Sequence, residues 1–316
     1  MIIAQQRKTI NTQEIIWKSC SKKINFRIFF VYISEETNKG GINMTIKPTN
    51  DLLFKKMMTT TGKEYILEDF IEAVTGMKLT NVRPTNPYQI ESYQKEIENL
   101  NPVMYSTIVD VAATTEDGME IMIEMQLYQH KDFFERIFNY MATTYTQNYK
   151  AESAKPIISI VVTNFTVFPE FQEARVEIGL TNLVCHREIK NKKHQPYWRI
   201  YLVNLTDKAI IKGENTDLSE WRDFLKNGTI KPESSRGLKE AQKIVNFSNL
   251  SGEERRLAEL MEKYEDVYYQ VMKHQLEEGI EIGRQQGVAL GERKGQVMIC
   301  FKMNLPMEEI QKHTGV

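Results

Sequence analysis

In the run Ile108 to Gln126, apolar residues alternate with others on both sides of Glu116-Asp117-Gly118. Period-two patterning around such a turn sequence predicts a tight β-hairpin. Loop length then decides which side chains share a face, because a one-residue slip turns every side chain over. With a three-residue loop and Gly118 in the left-handed region, Asp110 lies opposite Glu124 and Ile108 opposite Gln126. Asp110, Glu124 and Gln126 then gather on one face, while Val109, Val111, Ile121, Ile123 and Met125 point into a core. A two-residue Asp117-Gly118 loop would instead put Asp110 and Glu124 on opposite faces. Two carboxylates and an amide oxygen on one face suit a hard cation such as Mg²⁺ or Mn²⁺. The plainer reading is a hairpin whose polar residues face water.

The pattern continues beyond the hairpin. Asn50-Asp51-Leu52-Leu53-Phe54-Lys55-Lys56-Met57-Met58 opens the helical stretches Asp51 to Met58 and Lys63 to Val74, with Gly76 as a C-terminal stop. Gln129 to Lys150 reads as a helix with an apolar stripe of Phe134, Ile137, Phe138, Met141 and Tyr145. Arg136 and Tyr140, four apart, share another of its edges. Pro156 to Thr163 is continuously apolar, as in a strand covered on both faces, and Trp198 to Leu205 reads as one more strand. Asn81 to Pro102 reads as loop with a short strand at Tyr88 to Tyr93. Helix, hairpin, helix, buried strand is an α/β order.

Asp, thirteen residues, then Glu-x-Gln, followed by a helix carrying Glu135-Arg136 and Tyr140, resembles the PD-(D/E)XK nuclease superfamily. More narrowly it resembles the Rpn family of recombination-promoting nucleases, often labelled transposases, from about Met44 to Val316. The resemblance implies an αβββαβ core, a central mixed sheet flanked by helices, here with a helical C-terminal tail. It also implies a metal-dependent DNA endonuclease of mobile-element ancestry that promotes recombination. Asp110 and Glu124 would hold Mg²⁺ or Mn²⁺, which would lower the pKa of a bound water and offset phosphodiester charge. Gln126 stands where the superfamily's Lys is usual and brings no positive charge; Arg136 and Tyr140 would border the site. An acidic residue from the first helices joins the site in that superfamily, and Asp51, Glu64 and Glu68 are the candidates. The alternative function is a catalytically weak DNA-binding or oligomerising module that keeps the fold.

The net charge of −1 gives no global basic footprint, so DNA contact needs a local patch. Arg187, Lys190, Lys192, Lys193 and Arg199, beside Tyr197 and Trp198, are the best backbone-tracking candidates, without sequence specificity. Cys20, Cys185 and Cys300 are scattered, with no CxxC, which argues against structural zinc and fits a reducing bacterial cytoplasm. No apolar run is long enough to span a membrane.

Residues 1–43 read as an over-extended or disordered leader. Lys39-Gly40-Gly41 can be encoded by a ribosome-binding sequence, which would make Met44 the start. Residues 44–245 read as the nuclease-like domain. Residues 246–296 form a charged helical tail, opened by the capping box Ser251-Gly252-Glu253-Glu254. Glycine recurs every fourth residue from Gly279 to Gly295, and each costs a helix about 1 kcal/mol against Ala. This tail either self-associates into a homo-oligomer or is a charged linker. Residues 297–316 resemble a truncated helix-turn-helix, with Pro306 opening its second helix and Gly315 closing it.

Overall fold

In the computed structural model of the chain, the described residues are 46–99, 110–129, 133–148, 155–211 and 216–314. The leader, Ile108, Val109 and Gly315 lie outside them. Strands β1 (Arg83–Pro84), β2 (Val111–Thr114), β3 (Glu120–Gln126), β4 (Ile157–Thr163), β5 (Arg175–Gly179) and β6 (Trp198–Asn204) make one mixed sheet. Its order is β1-β2-β3-β4-β6-β5. β3, β4 and β6 run parallel; β1, β2 and β5 run antiparallel to their neighbours.

The β2–β3 hairpin has the three-residue loop. Val111 pairs with Ile123, Ala113 with Ile121 and Thr114 with Glu120. Gly118, at φ 86°, donates its N–H to the Thr115 carbonyl at 3.0 Å, and Thr115 donates to the Met119 carbonyl at 3.0 Å. Positive φ is cheap only for glycine, and here it keeps the register that sends Val111, Ile121, Ile123 and Met125 into the core.

Helices α1 (Asp51–Thr59), α2 (Tyr65–Thr75), α5 (Thr216–Asn227), α6 (Arg236–Val245) and the start of α7 (Gly252–Lys302) cover that face. Helix α4 (Phe133–Asn148) covers the other, burying Phe133, Ile137 and Met141 against Met122, Val161 and Leu202. All seven positions of β4 are buried, as its unbroken apolar run requires. On the second face of the hairpin Met122 and Glu124 are buried, while Ala112, Thr114, Glu120 and Gln126 stay half-exposed, so the plainer reading fails at Glu124. On α4 the buried stripe is also rotated from the expected one, leaving Phe138 exposed.

Tyr88 to Tyr93 is not a strand. The chain enters helix α3 (Ile90–Asn99) there, with the Tyr88 N–H taken by Thr59 Oγ1 at 2.8 Å and the Ser92 N–H by the Gln89 carbonyl at 3.1 Å. Tyr88 stacks on Tyr93 with ring centroids 5.8 Å apart. The capping box forms: Ser251 Oγ accepts from the Glu254 N–H at 3.2 Å and a Glu254 carboxylate oxygen from the Ser251 N–H at 2.9 Å.

The described residues up to 262 belong to one compact unit and those from 263 onward to another. In the second, α7 continues helical through all five periodic glycines, so the linker alternative does not describe the backbone. Nothing lies within 4 Å of where their Cβ atoms would stand. Helix α8 (Met307–Thr314) follows Pro306 as expected.

Candidate active site

Asp110 sits at the bend just before β2, and Glu124 and Gln126 end β3, so all three meet at one end of the sheet. Continuing the hairpin register places Asp110 opposite Glu124. Asp110 Oδ2 accepts the Met125 N–H at 2.5 Å, which fixes the carboxylate beside β3. Burial pushes the Asp110 carboxyl up to about 6, against that N–H and the charge of Lys55. Glu124 is 5% exposed, and its Oε1 is buried with no hydrogen-bond partner. Burial, then the Asp110 charge, raises its carboxyl well above the usual range, while Arg136, Gln126 and Lys55 oppose the rise.

The neighbours extend the arrangement. Gln126 Oε1 accepts from Arg136 Nη2 at 3.0 Å, leaving its amide N–H₂ to serve the Glu124 carboxylate. Arg136 Nε is itself buried and unpartnered. Tyr140, one turn on, packs half-buried against the α4-side core.

Lys55 is the residue the sequence reading missed. Beside the acid that the resemblance expects from the first helices, α1 presents a cation. Lys55 is half-buried, and its charge acts on both carboxylates. The adjacent Lys56 is used elsewhere, 2.7 Å from Glu254. Asp51 opens the first turn of α1. Glu64 accepts the Gly62 N–H at 2.9 Å and Glu68 the Val82 N–H at 3.1 Å, so these two hold local backbone.

The basic segment stands at the other end of the sheet. Arg199 pairs with Ile158, which pairs with Ile121, so Arg199 lies five residues along the sheet from Gln126, about 17 Å at strand rise. Arg199 joins Glu177 at 3.0 Å, Glu188 and Tyr201, which hold its guanidinium charged, and Lys190 reaches Glu188 at 3.4 Å. Arg187, Lys192 and Lys193 remain free for solvent or ligand.

A buried and a half-buried carboxylate that repel one another, the buried one with an orphaned oxygen, fit a hard divalent cation that completes its shell with water. Among the described residues no group of three or more His, Cys, Asp or Glu forms a metal cluster, and no helix is long and apolar enough to cross a membrane. A model of the family described as PD-(D/E)XK nuclease family transposase matches residues 48–274, a span holding the hairpin, α4 and Lys55. Comparison with curated proteins and with solved structures returned no match.

Proposed function

Because the chain belongs to the PD-(D/E)XK nuclease family transposases, we propose that it is a metal-dependent DNA endonuclease that hydrolyses phosphodiester bonds and promotes recombination. The observation that carries this reading is the buried Glu124, with an unsatisfied oxygen, beside the half-buried Asp110. A charge buried without a partner is costly, and a hard cation relieves it. Asp110 and Glu124 would hold Mg²⁺ or Mn²⁺. The ion would supply positive charge to the phosphodiester and Lewis acidity at the reacting centre.

The chain's own residues prepare the site. The Met125 N–H holds Asp110 in place. Gln126 ties Arg136 to the carboxylates. Lys55 and Arg136 would bring the positive charge that Gln126 cannot, and offset charge on the phosphate as water adds and its ester oxygen leaves.

Plasmid nicking with Mg²⁺ or Mn²⁺ tests this, with Asp110→Ala and Glu124→Ala beside the wild type. Metal-dependent nicking should fall by at least about 10²-fold in each variant. Nicking that survives in both would refute the assignment. Absent nicking with salt-sensitive DNA binding intact would mark a binding module on the nuclease fold.

A further inference from the structure

Between β5 and β6 the chain makes two consecutive turns closed in the same way. Asn182 Oδ1 accepts the N–H groups of Val184 and Cys185 at 2.9 and 3.0 Å, and His186 follows at φ 53°. Asn191 Oδ1 accepts those of Lys193 and Gln195 at 2.9 and 3.0 Å, around His194 at φ 61°. An Asn side chain that mimics the backbone in this way fixes a tight turn. The segment is braced at its base by the Arg199–Glu188–Glu177 ion pairs, and Gln195 donates to Asp117 of the β2–β3 loop at 2.7 Å.

What these turns display is unusual. Leu183 and Val184 are 86% and 90% exposed, the highest values among the exposed large apolar residues described. The neighbouring tip carries Lys192 and Lys193, with Arg187 on the segment between. Residues 180–199 hold five cationic side chains and one carboxylate, in a chain of net charge −1. That carboxylate, Glu188, is matched by Arg199 and Lys190.

We propose that this arm grips DNA, with Leu183 and Val184 pressed into a base step while Arg187, Lys192 and Lys193 hold the flanking phosphates. The inference rests on the nuclease reading and adds how the duplex is held. Apolar wedges between base steps are a recurrent device, and one or two side chains suffice. Charge complementarity with a phosphate backbone favours the same partner. An anionic membrane is the weaker match, since even a full acyl chain anchors only marginally and two side chains bury far less. The arm projects from the end of the sheet opposite the carboxylates, so it governs affinity and leaves the chemical step alone.

The test is anisotropy of a short fluorescein-labelled duplex with the full chain in EDTA, with 2-aminopurine at a flexible TA step. Leu183→Ser/Val184→Ser should bind about tenfold more weakly than wild type, with the salt slope unchanged and the 2-aminopurine brightening lost. Lys192→Gln/Lys193→Gln should reduce the log K against log salt slope by about 1.8. Wild-type affinity and brightening in the serine pair would overturn the arm alone. No DNA binding by the wild type would overturn the arm and the nuclease reading together. If the serine pair keeps DNA binding but loses sedimentation with phosphatidylserine vesicles, the arm is a lipid contact and the proposal falls.

Discussion

Asp110 and Glu124 are held where ionisation is unfavourable, and that has a sign that can be measured. A carboxyl whose folded pKa exceeds its unfolded value binds protons more tightly in the native state. Its contribution to stability is full at low pH and is lost as pH rises, here from the ordinary 3.8 through about 6 for Asp110. The metal-free protein should therefore lose melting temperature across that window. Asp110→Asn should flatten the loss and raise Tm at pH 7.5 by roughly 2–4 °C. Lys55→Met should extend the loss to higher pH, because the cation that opposes both shifts is gone. Melting curves from pH 4 to 8 decide it; an Asp110→Asn protein less stable than wild type at pH 7.5 would contradict the sign. Asp110, Glu124 and Gln126 could be grouped from sequence because alternation and loop length act over a few residues. Lys55 could not, since its approach depends on how α1 packs on a sheet assembled from residues far away in the chain.

Among the elements, α2 and α6 approach closely at Gly237. A Cβ at Gly237 would stand 2.6 Å from Asp69 Cβ, and Asp69 Oδ1 accepts the indole N–H of the buried Trp221 at 2.8 Å. Gly237→Ala should cost about 1–3 kcal/mol of stability, read as a lower urea midpoint; an unchanged midpoint would mean that α6 shifts freely. Nothing in the local sequence marks this glycine as different from those of the tail. The elements that were readable carried strong local signals: the unbroken apolar run of β4, the capping box at Ser251, and the Gly76 stop at φ 72°. Tyr88 to Tyr93 misled because aromatic spacing suits a strand, and the N–H taken by Thr59 belongs to tertiary structure. In the tail, each periodic glycine weighs against a helix, yet the pattern of Glu281 with Arg284 and Gln285 is one that helices favour.

Across the molecule, Glu254 joins parts distant in the chain. Burial pushes its carboxyl up, but Lys56 and the Ser251 N–H outweigh this and hold it below the usual range. The same carboxylate accepts from Tyr88 at 3.2 Å, so α1, the start of α3 and α7 share one anchor. A double-mutant cycle of Lys56→Met and Glu254→Gln should give a coupling of about 1 kcal/mol; additive losses would show that the pair is screened by solvent. The three parallel strands, for their part, set a length. β3, β4 and β6 each have seven residues in matched register, with the carboxylates at one end and the basic arm at the other. A residue added to one strand would turn its side chains over, so the gap can change only by two residues at a time, in all three strands together. Loops at either end can change in length without touching this spacing, so the strands act as a fixed gauge between the hairpin carboxylates and the basic arm.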